Sequence, residues 1–223
     1  MRVRAFPSNP GPSGWQAILP PRTPMAALDG DKACDVLIIG AGFAGLSAAQ
    51  ALHAKQPGLA VIVLEAGRIG DGPAGRNSGF MIDLPHDLAS DDYGGGSAFD
   101  GPDVAGNRAA IDFAAQMQAR YDMPAEALRK SGKVNGAASA KGHAHNLTYA
   151  GQLDAVGQSY ELLDATQMRA MTGTDFYRSG LFTPGTAVIQ PALYIQALGD
   201  GLARVGVTIF ENSAVLELER GPD

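Results

Sequence analysis

The chain has 223 residues, 45% of them hydrophobic, and 23 acidic against 17 basic side chains for a net charge of −6. That is enough apolar material for one large domain or two small ones, which excludes a disordered tail, and the acidic balance argues against electrostatic attraction to nucleic acid or an anionic membrane. No run reaches the roughly 18 to 20 apolar residues that cross a bilayer, no apolar stretch follows Arg2 and Arg4 as in a signal peptide, and the single cysteine, Cys34, excludes an internal disulfide and a C-x-x-C dithiol. A cytoplasmic protein with no membrane span and no nucleic-acid partner is expected.

Residues 1–29 contain PSNPGPSG and LPPRTP, whose prolines block helices and sheet ladders. They read as an extended arm, with Trp15 available to pin it to the body. The stretch DVLIIGAGFAGLSAAQAL follows. Val36, Leu37, Ile38 and Ile39 form an unbroken apolar run, the pattern of a strand buried on both faces. After it, Leu46, Ala49 and Leu52 recur at helical spacing. Gly40, Gly42 and Gly45 therefore lie at a strand-to-helix junction. There, the first glycine turns the chain, the second lets the backbone approach a pyrophosphate, and the third lets helix and sheet pack closely. A phosphate fits the helix N-terminus, where unpaired N–H groups and the helix dipole favour an anion.

Lys55 suits the last helical turn, and Pro57-Gly58 stops the helix. A second apolar run, Val61 to Leu64, ends at Glu65. An acid at the end of the second strand can accept hydrogen bonds from an adenosine ribose and repels the extra phosphate of NADP. The residues thus specify a dinucleotide and leave NAD or FAD open.

Residues 67–84, GRIGDGPAGRNSGFMIDL, are too rich in glycine for a regular element and too apolar at Phe80, Met81 and Ile82 for a solvated linker. Residues 86–106 read as a long loop in which Asp91-Asp92 is a solvated pair. Ala110, Phe113, Ala114, Met117 and Tyr121 mark one face of an amphipathic helix. Short strands are expected over residues 133–138 and 144–150. His143 and His145 are spaced as a metal pair, yet no carboxylate or cysteine cluster accompanies them, so no metal site is expected. Asp164 looks like an N-cap with Gln167 three positions on, opening a brief helix that ends by Gly173. Residues 180–185 read as a turn-rich connector. Pro191 fits the first position of a helix whose Tyr194, Leu198 and Leu202 share a face, and Gly206 is placed to end it. Residues 207–210 and 214–218 read as strands, and no internal repeat is evident. The order predicts a parallel sheet domain, interrupted and then resumed by a third parallel strand.

The stretches DVLIIGAGFAGLSAAQAL, VIVLEAGRIG and GPAGRNSGF resemble the FAD-dependent amine and amino-acid oxidoreductases related to D-amino-acid oxidase, nearest to their γ-glutamylputrescine oxidoreductase-like branch. The resemblance implies an α/β fold: a Rossmann-like FAD-binding domain interrupted by part of an α+β substrate domain. Its parts would be residues 30–85 and 186–223 for the FAD-binding domain and 86–185 for the insertion, after the arm of residues 1–29. It implies FAD, with the pyrophosphate cradled by Gly40, Gly42 and Gly45, and Ala41, Phe43 and Ala44 among the cofactor-binding residues. Glu65 would hold the adenosine ribose, with Arg68 nearby and Ala66 also cofactor-binding, and Val215 would touch the adenine. Gly75, Arg76, Asn77, Ser78, Gly79, Phe80 and Met81 would pass the isoalloxazine ring. The loop departs from the branch's pattern at Pro73, Ala74 and Ser78.

The implied reaction is oxidation of a small amine or amino acid. Members of the family run well beyond this length, so an N-terminal fragment is expected, with catalytic residues beyond Asp223 and none assigned here. An NAD-linked dehydrogenase shares the first unit, though the GPAGRNSGF loop and the long insertion argue against it. A truncated flavin-binding module without turnover is the other alternative.

Overall fold

The structure, a computed structural model, describes residues 1–8, 11–84 and 101–221. In chain order its helices are α1 (Gly14–Ala17), α2 (Phe43–Lys55), α3 (Gly101–Arg120), α4 (Ala140–Ala155), α5 (Ala165–Thr172) and α6 (Pro191–Arg204). Its strands are β1 (Val36–Ile39), β2 (Val61–Leu64), β3 (Phe80–Met81), β4 (Leu128–Arg129), β5 (Lys133–Ala137), β6 (Glu161–Asp164), β7 (Ser179–Thr183), β8 (Ala187–Ile189) and β9 (Thr208–Phe210). No described helix is long and apolar enough to cross a membrane. The chain forms two compact units: Met1–Gly79, Gln116–Leu128 and Ile189–Asp223 make the first, Phe80–Ala115 and Arg129–Val188 the second.

The first unit is built on a parallel sheet of order β1-β2-β9, with Val36 opposite Val61 and Ile62 opposite Thr208. The third parallel strand expected from the sequence is therefore present. α2 begins at Gly42 and ends at Lys55 before Pro57, burying Leu46 and Ala49. α6 begins with Pro191 and its Tyr194, Leu198 and Leu202 are buried, as their spacing requires. A Cβ at Gly199 would lie 2.6 Å from Ile69 Cδ1 and 3.7 Å from Leu46 Cδ1, so this glycine is what lets α6 approach the sheet side of the unit so closely.

Two expectations fail in this unit. β1 was expected to be buried on both faces, but Leu37 is 43% and Ile39 58% exposed. Strand alternation turns Ile38 toward α2 and leaves Leu37 and Ile39 on a face that no described element covers. Residues 214–218 do not form a strand of the sheet. Among the described residues their backbone meets only the amino terminus, through Val3 N donating to Leu216 O (2.9 Å) and Leu218 N to Met1 O (2.7 Å), which is too short a ladder. Apart from α1, residues 11–29 have no regular structure, and they are docked on the unit. Ser13 and Gln16 form a capping box that folds α1. Trp15 does pin it, with Nε1 donating to Asn77 O at 2.9 Å.

The second unit has an antiparallel sheet of order β5-β7-β6, with Val134 opposite Phe182 and Leu162 opposite Leu181. β3 and β8 pair antiparallel, Phe80 opposite Val188. Leu84, Val104, Tyr149, Ala150, Leu153 and Leu181 form its core. The strand expected over residues 144–150 is instead helix α4. Ser139 caps it, and the buried positions Asn146, Tyr149, Ala150 and Leu153 follow helical spacing rather than alternation. His143 and His145 thus sit on a helix, with His143 Nδ1 2.8 Å from Ser179 Oγ. Among the described residues no cluster of His, Cys, Asp and Glu is arranged to hold a metal.

The supposed connector over residues 180–185 is largely β7, the central strand. A Cβ at Gly180 would lie 2.4 Å from Met168 Sδ, so this glycine marks close packing, not a turn. The brief helix is α5, opened by the expected Asp164–Gln167 capping box and ended at Gly173. Most of the loop expected over residues 86–106, with Asp91-Asp92, lies outside the described residues, but residues 101–106 are helical. On α3 the buried face is Val104, Ile111, Ala114 and Met117, continued by Tyr121, so Ala110 is not part of it.

Both units bury tyrosines, Tyr121 and Tyr194 in the first and Tyr149 in the second. Burial pushes the Tyr194 hydroxyl up to about 12, and burial with the added charge of Asp83 pushes Tyr149 up to about 12. Both folded values lie above the usual tyrosine value near 10, so the native state holds these protons longer than the unfolded chain does. Their stabilisation is complete below about pH 10 and is lost as pH rises through about 12. Alkaline titration should therefore show unfolding by circular dichroism in that window, together with tyrosinate absorbance. Tyrosinate forming near pH 10 without unfolding would contradict it.

Candidate cofactor site

In the first unit, a cavity of about 640 Å3 opens at the carboxyl ends of β1 and β2. Its floor is the turn that follows β1. Gly40 has φ +95°, a left-handed conformation that side chains resist, and a Cβ at Gly45 would lie 1.9 Å from Gly40 O. The two glycines thus enforce a turn whose carbonyl packs against the first turn of α2. Gly42 is the N-cap and offers no side-chain cap, so the first helical amides, those of Phe43 and Ala44, are left for an anion.

Glu65 stands beside this turn. Its Oε2 accepts from Ala41 N at 2.8 Å and its Oε1 from Gly67 N at 3.0 Å. The carboxylate therefore ties the turn after β1 to the turn after β2. Each oxygen keeps acceptor capacity for a hydroxyl. Ala66 and Arg68 continue the wall, and Arg68 Nη2 donates to Arg22 O at 2.7 Å. Val215 lines the far side. The amino terminus closes it: Met1, Val3, Phe6 and Pro7 line the same cavity, a contribution nothing in the sequence signalled.

A further wall comes from residues 70–75, Gly-Asp-Gly-Pro-Ala-Gly, which spell G-x-G-x-x-G a second time. The conformation is repeated as well as the spelling. Gly70 has φ +93°, Gly72 has φ −81° and ψ −171° against −85° and −173° at Gly42, and a Cβ at Gly75 would lie 2.0 Å from Gly70 O. This is an internal repeat that the sequence reading missed. The spacing itself was the signal, hidden because only a three-residue turn, Pro73–Gly75, follows it instead of a long amphipathic helix. Gly70, Gly72, Pro73 and Ala74 line the cavity opposite Gly40 and Gly42.

The other expected flavin contacts lie elsewhere. Gly75 is buried behind the loop. Arg76 turns away from the cavity, donating from Nε to Asp71 O and from Nη2 to Gly11 O. With Arg22 and Arg68 it lines a separate cavity of about 490 Å3. Asn77 and Ser78 are exposed, Asn77 bracing its own turn through Nδ2 to Ala74 O (2.9 Å) and Oδ1 from Gly79 N (2.8 Å). Phe80 and Met81 form β3. None of these seven residues lines the 640 Å3 cavity. The residues that do line it fit the adenosine diphosphate half of a dinucleotide, with a glycine cradle that a Cβ would fill and an acid with spare acceptor capacity; Phe43, Ala44 and Gly45, at the start of α2, adjoin Gly42 but do not line the cavity themselves.

Comparison with known proteins agrees with that fit. A family model described as FAD dependent oxidoreductase (DAO) matches residues 35–223. The probable oxidoreductase OrdL of Haemophilus influenzae is 30% identical over 194 residues, covering 82% of this chain and 42% of that protein. Gamma-glutamylputrescine oxidoreductase of Escherichia coli is 28% identical over 206 residues, covering 88% of this chain and 46% of that protein. Among solved structures, glycine oxidase from Geobacillus kaustophilus has a TM-score of 0.61 at 17% identity, over 80% of this chain and 46% of that one. L-amino acid deaminase from Proteus vulgaris has 0.62 at 16%, over 85% and 43%. These two share the fold. The chain spans about half the length of the curated relatives it matches.

Proposed function

The chain belongs to the DAO family of FAD-dependent oxidoreductases, and from that premise we propose that it carries the FAD-holding part of an enzyme that oxidises the C–N bond of a small amine or amino acid to an imine. The names of the relatives support the substrate class: one is a gamma-glutamylputrescine oxidoreductase, and glycine oxidase and L-amino acid deaminase share the fold. FAD, when bound, supplies the acceptor for the hydride that leaves the carbon bearing the amine, and water then hydrolyses the imine.

The residues of this chain bind and orient. The Phe43 and Ala44 amides at the start of α2 hold the pyrophosphate, and Glu65 accepts from the ribose hydroxyls. Val215 and the Ala66 to Arg68 turn flank the adenosine. On the family resemblance, Gly75 to Met81 approach the flavin ring, a placement outside the 640 Å3 cavity. No residue of this chain is assigned as a catalytic acid or base.

The observation that carries the reading is Glu65 standing in one cavity with the Gly40 turn, its carboxylate already hydrogen-bonded to Ala41 N. Glu65→Ala removes a charged acceptor whose hydrogen bonds contribute about 1.5 to 3 kcal/mol each, so FAD affinity should fall at least about tenfold. Fluorescence titration with FAD and with NAD measures this. Unchanged FAD affinity, or tighter binding of NAD than of FAD by the intact chain, would defeat the proposal.

A further inference from the structure

We infer that the amino-terminal arm, residues 11–28, is a positioning element that holds the second glycine loop, residues 70–79, in its cofactor-facing shape. This rests on the proposed function only for what the loop grips. The loop has little structure of its own. It holds one three-residue turn, closed by Gly75 N to Gly72 O (3.0 Å) and Arg76 N to Pro73 O (3.1 Å), followed by the Asn77 turn. Such a segment opens easily unless its outward groups are held.

The arm supplies what the loop lacks. Ser13 Oγ donates to Gly75 O at 3.0 Å and Trp15 Nε1 to Asn77 O at 2.9 Å. Gln16 Nε2 donates to Asp71 Oδ1 at 2.7 Å. In return, Arg76 Nη2 donates to Gly11 O and Arg68 Nη2 to Arg22 O. Five hydrogen bonds thus join the arm to the loop and its approach, and two of them reach carbonyls that the loop itself leaves unpaired.

The arm is in turn fixed to the rigid part of the unit. Gln190, the N-cap of α6, donates from Nε2 to Trp15 O at 2.8 Å. Arg22 bonds Asp200 on α6 and Glu211 just after β9. Met25 N donates to Glu211, and Leu28 N donates to Ser213 Oγ at 2.8 Å. Three prolines, Pro20, Pro21 and Pro24, restrict the backbone between these anchors, so less entropy is lost when the arm docks. The arm therefore works as a splint, seated on α6 and the end of β9 and gripping a loop that lines the cavity through Gly72, Pro73 and Ala74.

The test uses the whole chain with Ser13→Ala/Trp15→Phe, which removes the arm's two donors to loop carbonyls, and with Ser13→Ala alone as a milder change. Hydrogen exchange by mass spectrometry reads the loop without any ligand, and FAD titration reads the cavity. Amides of residues 72–79 should exchange about tenfold faster or more, those of α2 and β2 should be unchanged, and the FAD dissociation constant should rise about tenfold. Ser13→Thr, which keeps the hydroxyl, should restore wild-type values relative to Ser13→Ala. Unchanged loop exchange overturns the inference. Faster loop exchange with unchanged FAD affinity overturns the claim that the arm positions the loop for the cofactor. An intact chain that takes up no FAD, with loop exchange still responding to the variants, would bring down the cofactor reading and leave the arm's grip on the loop standing.

Discussion

Arg22→Met should destabilise the first unit by about 3 to 5 kcal/mol, seen as a urea midpoint far below that of the wild type. The reason lies in Glu211, whose side chain is wholly buried just past the end of β9. Arg22 Nη1 donates to both of its oxygens, at 2.9 and 2.8 Å, while the amides of Met25 and Ile69 supply its remaining hydrogen bonds. Burial lowers the affinity of the Arg22 guanidinium for its proton. The hydrogen bonds and charges of Asp200 and Glu211 outweigh that, so its pKa lies above the usual arginine value.

Removing the guanidinium leaves a carboxylate in the interior with two amide donors and no counter-charge. Asp200, on the other side of the pair, is 42% exposed and loses little because water replaces its partner. The double variant Arg22→Met/Glu211→Gln should recover only part of the loss: it removes the unpaired charge, but the one amide oxygen keeps either the Met25 or the Ile69 donor, and its NH2 faces the other. A single-variant loss below about 1 kcal/mol would mean that water reaches Glu211 in the folded chain.

The parts of this fold that were legible in the sequence are those whose cause is local. α5 and α6 announce themselves through a capping box and an N1 proline, and β1, β2 and β9 through short apolar runs. Helix α4 was misread because Leu147, Thr148 and Tyr149 look β-prone in isolation. What decides is the burial of Asn146, Tyr149, Ala150 and Leu153 against a sheet that the sequence did not place. β7 was misread because Gly180 looks like a turn residue, whereas it leaves room for Met168, a contact made across the fold; Gly185, past the strand end, does lie in a turn.

At the site, residues 40–45 and Glu65 were legible because a strand, a turn and a helix lie in one continuous stretch. Of the arm's grip, only Trp15 was. Arg22 and Glu211 are 189 residues apart, and no local pattern links an arginine in a proline-rich segment to an acid after a distant strand.

Gly45→Ala should lower FAD affinity about a hundredfold or more and destabilise the first unit by about 1 to 3 kcal/mol, while Gly75→Ala should weaken FAD with a smaller loss of stability. The two substitutions place a methyl group in nearly the same clash, 1.9 Å from Gly40 O and 2.0 Å from Gly70 O, distances no real contact adopts. The surroundings differ. Gly45 lies in the first turn of a thirteen-residue helix, with Ile38 Cγ2 3.3 Å from the added carbon, so relief requires α2 to lift from β1 and the anion-binding amides move with it. Gly75 ends a three-residue turn that can shift as a loop, and the displacement reaches the cavity through Ala74 more than it reaches the core. Comparing the pair separates the roles of the two glycine turns. If Gly75→Ala binds FAD as tightly as the wild type while Gly45→Ala does not, the second turn repeats the shape of the first without sharing its ligand. If Gly45→Ala keeps both the wild-type melting temperature and its FAD affinity, the turn after β1 is not the cofactor cradle. Differential scanning fluorimetry and flavin titration on the same three proteins decide between these outcomes.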